Sequence, residues 1–328
     1  MNKYISILIT LIFSLISCDN NTQNVSETKN DPPKPFIDVP KFNEDSALVF
    51  VKDQVEFGPR VPSSKAHEKC ALYIINKLKA FGLQVQVQEG IVRTFDNKTH
   101  KIKNIIASVN SDRQSRVFIS AHWDTRPFAD QDSKEKDKPI DGANDGASGV
   151  AVLLELARQF SKVKPIAGID LIFFDIEDYG QPQGSKFPEM EDSYCLGSQY
   201  WANHKDPSYL AKYGINLDMI GGANARFTKE GTSMYYAPGI LEKVWKTATD
   251  IGYGNYFVNE KTAPITDDHS YVNEITKIPT IDIIDNDPST KSNFYKHWHT
   301  HQDNLENIDT KSLKAVGQTL MQVLYYEK

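Results

Sequence analysis

The chain is poor in cysteine, with three in 328 residues and no Cys-x-x-Cys pair. Nothing therefore supports a zinc centre built from thiolates. It also lacks any run of basic residues, and its formal net charge is -6. Nucleic acid needs a clustered basic footprint, so that class of partner is set aside. No apolar stretch is long enough for a comfortable membrane span; the one near the start, Ile5 to Ile16, falls short. The core shows no internal repeat and no low-complexity segment. What is present is 40% hydrophobic and 11% aromatic residues, enough for a sizeable core and a rich pocket lining.

Lys3 followed by the short apolar stretch reads as a secretory signal over residues 1–17. Leu15-Ile16-Ser17-Cys18 resembles a bacterial lipobox, which implies a lipidated Cys18 and an exported, membrane-anchored protein facing the periplasm or the cell surface. Residues 18–35 hold Asn, Thr, Lys and three prolines with almost nothing apolar, and are expected to form a disordered tether. The remaining cysteines, Cys70 and Cys195, pair only if their Cα atoms come within bonding reach, which sequence leaves open. Cys70 lies on an amphipathic helix pattern and is expected to be a buried free thiol.

From about residue 45 strand and helix signals alternate without a compositional break, so 36–328 is expected to be one domain. Helices are expected from Asn43 or Asp45 to Val55, from Ser63 or Ser64 to Gly82, after Asp145, near 197–204 and 238–251, and over 309–326. Strands are expected over 83–92, 102–109, 117–121, 169–174, 215–220 and 279–284. The segment 123–143, with Asp130, Asp132, Lys134, Glu135, Lys136 and Asp137, reads as a solvated loop. This alternation predicts an α/β fold with a mixed, mostly parallel sheet and helices on both faces.

Histidines and carboxylates stand at the ends of the apolar runs, where open α/β sheets gather their ligands. His122 follows Val117–Ala121, with Asp124 two residues on as an acidic neighbour; a lone His of this kind is otherwise a satisfied core residue. Asp145 sits in a Gly-rich turn and would serve equally as a helix cap. Glu177 and Asp178 follow a buried run, where adjacent carboxylates would repel each other unless a cation joins them. Asp218 is of the same kind, and Asp267-Asp268-His269 adds an acidic cluster in which either Asp could face the site. His297, His299 and His301 alternate, so in an extended segment all three share a face and could bind metal. A shell of imidazole and carboxylate suits zinc, and a carboxylate beside a ligand is a natural general base.

Taken in order, His-x-Asp, Asp in a Gly-rich turn, Glu-Asp, Asp, Asp-Asp-His and Trp-His-Thr resemble the zinc aminopeptidase superfamily. Within it, Phe173-Phe174-Asp175, Leu217-Asp218-Met219-Ile220-Gly221 and Trp298-His299-Thr300 running into Asp303–Asp309 resemble the animal-type glutaminyl cyclases. The resemblance extends from Glu56–Pro62 to the C-terminus. It implies one zinc per chain on Asp145, Asp178 and His299, with Glu177 as general acid/base and Asp218 and Asp267 in its hydrogen-bond network. It also implies Trp298 in the substrate pocket, and a peptide or protein with N-terminal Gln as substrate, converted to pyroglutamate with release of ammonia. The alternative is a two-zinc aminopeptidase with His122 and Asp218 on the second metal. Two departures stand out: the family commonly has Glu where Asp178 stands, and the loop 180–192 lacks the Trp of the animal enzymes. Trp123 is the candidate to supply an equivalent indole.

Overall fold

The computed structural model describes residues 38–328; the expected signal peptide, Cys18 and the tether lie outside them. Asn43 opens the first helix, α1 (Glu44–Val55), by accepting from Ser46 N at 2.7 Å. Ser64 opens α2 (Lys65–Ala80) by accepting from His67 N at 3.1 Å. Both side chains satisfy amides that a helix start leaves free. Two antiparallel strands follow, β1 (Gln84–Arg93) and β2 (Thr99–Val109). β1 is the outer strand of the sheet, which is why its polar residues alternate with half-buried ones.

Next come β3 (Arg116–His122), α3 (Ala147–Phe160), β4 (Gly168–Phe174), α4 (Leu196–His204) and β5 (Gly214–Asp218). The chain then forms β6 (Phe227–Lys229), α5 (Gly231–Tyr236), α6 (Pro238–Asp250), β7 (Phe257–Lys261) and α7 (Asp268–Tyr271). It closes with β8 (Thr280–Ile284) and α8 (Thr310–Tyr325). The main sheet has the order β1-β2-β4-β3-β5-β8. β4, β3, β5 and β8 run parallel, while β2 joins β4, and β1 joins β2, antiparallel. The sheet is therefore mixed and mostly parallel, as expected.

Period-two alternation sorts the strand residues between two cores. Val117, Ile119 and Ala121 of β3, with Ile169, Leu171 and Phe173 of β4, join residues of α1, α2, α3 and α8 in the main cluster. Phe118, Ile172 and Phe174 point the other way, into a smaller cluster with Trp201 and Ala202 of α4. With helices on both faces, β3 and β4 are buried at every position. Each fully buried Val, Leu, Ile or Phe contributes roughly 1.5–3 kcal/mol of transfer free energy. α3 is buried at all residues but Arg158, and that fixes the position of the turn before it.

The described residues form one compact unit, and none of their helices is long and apolar enough to cross a membrane. The short elements β6, β7, α5 and α7 escape a sequence reading because three to six residues carry too little periodicity. The strand expected to run to Ile220 stops at Asp218, because Met219 turns into the left-handed region at φ +48°.

Candidate active site

The carboxyl ends of β3, β4 and β5, the turn before α3 and the loop after β8 meet at a cleft of about 780 Å³. Asp145 occupies the turn before α3. Its neighbour Gly146 has φ +96°, and a Cβ there would lie 2.6 Å from Asp124 O and 3.2 Å from His122 Cε1. Only glycine fits so close an approach. Asn144 N and Asp145 N donate to the carboxylate of Asp303 at 2.8 and 3.0 Å. Burial pushes Asp303 up to about 7.

The acidic pair after β4 is held with equal care. Ile176 leaves the strand at φ +53°, a conformation costing on the order of 1–3 kcal/mol for a residue other than glycine. Six hydrogen bonds secure the turn. Glu177 N and Asp178 N donate to the two oxygens of Asp124 at 3.0 and 3.2 Å. Cys195 N and Leu196 N donate to the carbonyls of Glu177 and Ile176 at 2.8 and 3.0 Å. Arg126, itself buried, donates to the carbonyls of Asp178 and Gly180.

His299 enters from the loop after β8 at φ +54°. Its Nε2 lies 3.1 Å from Asp178 Oδ1 and 3.8 Å from Asp145 Oδ2. His122 Nε2 lies 3.1 Å from both Asp145 Oδ1 and Asp218 Oδ1. Two triads result, Asp145/Asp178/His299 and His122/Asp145/Asp218, with Asp145 common to both and the ligand atoms of each within 4.8 Å. Asp145 Oδ2 and Asp178 Oδ2 are buried without a hydrogen-bond partner. Unpaired buried carboxylate oxygens are costly, and a cation is the group that satisfies them. One imidazole and two carboxylates fit zinc with a position left open.

Glu177 stands beside these groups. Burial holds it well above the ordinary carboxylate range; His122 opposes the shift, and the negative Asp178 and Asp267 reinforce it. Its Oε1 accepts from the Cys195 thiol at 3.3 Å. Burial likewise pushes Asp178 up to about 6 and Asp218 up to about 7. Asp267, not Asp268, lines the cleft, and its Oδ2 accepts from Asn216 Nδ2 at 2.7 Å. The raised carboxyl groups of Glu177 and Asp218 are suited to proton transfer near neutral pH.

Trp298 lines the cleft together with Phe294, ring centroids 5.0 Å apart. Trp123 does not. It belongs to the main core, stacked on His67 at 4.1 Å, with Nε1 donating to Lys103 O. The aromatic of the loop 180–192 is instead supplied just past it by Tyr194, which lines the cleft with the Arg126 guanidinium 5.1 Å from its ring. The alternating histidines do not share a face, because 297–301 is folded into turns. Of the three only His299 reaches the site; His301 Nδ1 meets Asp132, and His297 packs beside Tyr295.

Part of the charged segment 123–143 proves structural rather than solvated. Asp130 Oδ1 meets His299 Nδ1 at 3.1 Å and Arg126 Nε at 2.8 Å. Cys70 and Cys195 are both free and buried, with Cys70 pushed up to about 12 by burial.

A mixed, mostly parallel sheet ending in carboxylates and histidines around a cation-ready cleft defines a metalloenzyme-like α/β fold. Residues 104–324 match the model of peptidase family M28, and the chain belongs to that family. It is similar to a Zn-dependent exopeptidase from Parabacteroides distasonis, at 50% identity and TM-score 0.85, over 88% of this chain and 99% of that one. A Bacteroides thetaiotaomicron glutaminyl cyclase bound to N-acetylhistamine is 49% identical with TM-score 0.86, over 88% of this chain and 100% of that one. The glutaminyl-peptide cyclotransferase of Bothrops jararaca is 26% identical over 292 residues, 80% of this chain and 75% of that protein. An aminopeptidase of Bacillus subtilis also matches, and there the chain spans less than half, 46%, of the relative's length. Zinc, named for the exopeptidase, agrees with the donor set found in the cleft.

Proposed function

We propose that this chain is a glutaminyl cyclase, converting N-terminal glutaminyl residues of peptides or proteins to pyroglutamate with release of ammonia, with one zinc per chain. One observation favours this over the two-zinc aminopeptidase. An imidazole lies between two carboxylates in both triads, but in Asp145/Asp178/His299 each carboxylate keeps a buried oxygen without a partner, Asp145 Oδ2 and Asp178 Oδ2, whereas in His122/Asp145/Asp218 only the shared Asp145 does. The unmet oxygens on both of its carboxylates make Asp145/Asp178/His299 the triad that calls more strongly for a cation. The similarity to a glutaminyl cyclase at 49% identity across the domain points the same way.

The reaction joins the free α-amine to the γ-amide carbonyl carbon and breaks that carbon's bond to the amide nitrogen, which leaves as ammonia. Asp145, Asp178 and His299 would hold the zinc, which would supply a Lewis acid for the amide carbonyl. Glu177 takes the proton from the attacking amine and delivers it to the departing nitrogen. Burial raises its proton affinity for that task, and the negative charges of Asp178 and Asp267 add to the effect. Both reacting groups belong to one residue, so the cleft has mainly to hold a folded conformer, and Trp298, Phe294 and Tyr194 form its aromatic walls.

Glu177→Gln tests the assignment. It should abolish ammonia release from Gln-Ala while zinc content stays at the wild-type level. Activity within a few-fold of wild type would remove Glu177 from the chemistry. Export and anchoring through a lipid on Cys18 belong to the same proposal, since secreted proteins expose new N-terminal Gln. Loss of labelled fatty acid on Cys18→Ala is the expected result.

A further inference from the structure

Past Tyr271, Pro264 and Thr266 the reaction cleft continues into a second cavity of about 480 Å³, to which the same three residues contribute. The other walls come from Tyr235 and Tyr236 of α5, from Asp192 shortly before α4, and from Glu274 just after α7. A substrate longer than its first residue has this continuation of the cleft open to it.

The chemistry of this second cavity is distinct. Three tyrosines and two carboxylates surround it, and no Lys, Arg or His lines it among the described residues. Tyr235 is 80% exposed and stands at 90° to Tyr236, ring centroids 4.8 Å apart. So exposed a ring contributes nothing to the core. Tyr271 donates to Asp192 Oδ1 at 3.0 Å, which ties one carboxylate to the aromatic wall. Neither Asp192 nor Glu274 forms an ion pair within the described residues, so both charges are available to a ligand.

Aromatic faces attract cations through their quadrupole, and unpaired carboxylates add a net negative potential. A guanidinium or ammonium on an apolar stem satisfies both, the stem lying on the rings and the charge between the acids. We propose that this cavity is a subsite for an Arg or Lys side chain downstream of the N-terminal glutamine, so that basic N-terminal segments are the preferred substrates. The proposal rests on the cyclase reading and adds a substrate class to it.

The test is ammonia release from Gln-Ala, and from Gln-Ala-Ala-Ala amides carrying Arg, Ala or Glu at the second, third or fourth residue. Wild type is compared with Glu274→Gln and Tyr235→Ala, both at exposed positions outside the reaction centre. At one register, Arg should raise kcat/KM about five- to tenfold over Ala, and Glu should lower it. That advantage should shrink in high salt and in both variants, while Gln-Ala turns over equally well in all three proteins. Equal rates for Arg, Ala and Glu at every register would overturn the subsite, as would an Arg advantage untouched in both variants. Failure to cyclise Gln-Ala would instead sink the cyclase reading, and this substrate class with it.

Discussion

His299 is held between two carboxylates: its Nδ1 lies 3.1 Å from Asp130 Oδ1, and its Nε2 the same distance from Asp178 Oδ1. Asp130 is in turn fixed by Arg126 Nε at 2.8 Å. Gln131 N donates to the His299 carbonyl, so one segment anchors both the ring and the backbone of a residue in the left-handed region. A carboxylate on the outer nitrogen sets the tautomer of an imidazole and aims its other nitrogen.

Asp130→Asn should therefore weaken zinc binding about 10- to 100-fold while leaving the fold intact. Competition with a chromogenic chelator, checked by melting temperature, measures this. Wild-type affinity in the variant would show that Asp130 does not orient the ligand.

The two tryptophans should separate cleanly. Trp298→Ala removes a wall of the cleft and should raise KM for Gln-Ala several-fold. Trp123→Phe removes a core indole whose Nε1 donates to Lys103 O, and should cost about 1–3 kcal/mol of stability with KM unchanged. A KM effect from Trp123→Phe would return that indole to the pocket.

Neither described cysteine should react with a thiol reagent in the native protein. Both are buried and uncharged at neutral pH, Cys70 with its thiol pushed up to about 12. Denaturant should release both. Rapid labelling of either in the native state would contradict the packing.

Asp285, which belongs to neither triad, gives a pH signature. Burial pushes it from 3.8 up to about 7, with the Arg226 amide on its Oδ1 opposing the shift. The folded state thus holds this proton more tightly than the unfolded chain. Its contribution is most favourable below about pH 4 and is lost as pH rises through 7, a change on the order of a few kcal/mol. Asp285→Asn keeps an acceptor for Arg226 N but no charge. The variant should gain melting temperature over wild type between pH 5 and pH 8; a constant difference would refute the assignment.

The sheet was legible because β3 and β4 carry short, mostly apolar runs, Val117–Ala121 and Ile169–Phe174, as strands covered on both faces do. Asp178 and Asp218 were legible as acids placed where apolar runs stop, and Asp145 as an acid in a Gly-rich turn before a helix pattern. Trp123 misled because one step along an extended chain reverses the face: His122 points to Asp145 and Asp218, so its neighbour points into the core. Asp130 was invisible for a different reason. Its partner His299 lies far away in sequence, and a carboxylate among other charges in a polar loop carries no periodicity. Tyr194 carried only a weak signal, an aromatic directly before a helix pattern.

The central claim is tested most directly by giving the purified protein Gln-Ala and Leu-p-nitroanilide side by side. The account predicts ammonia with loss of the free α-amine from the first, and no nitroaniline from the second. Nitroaniline without ammonia would contradict it, and would place His122 and Asp218 on a second metal.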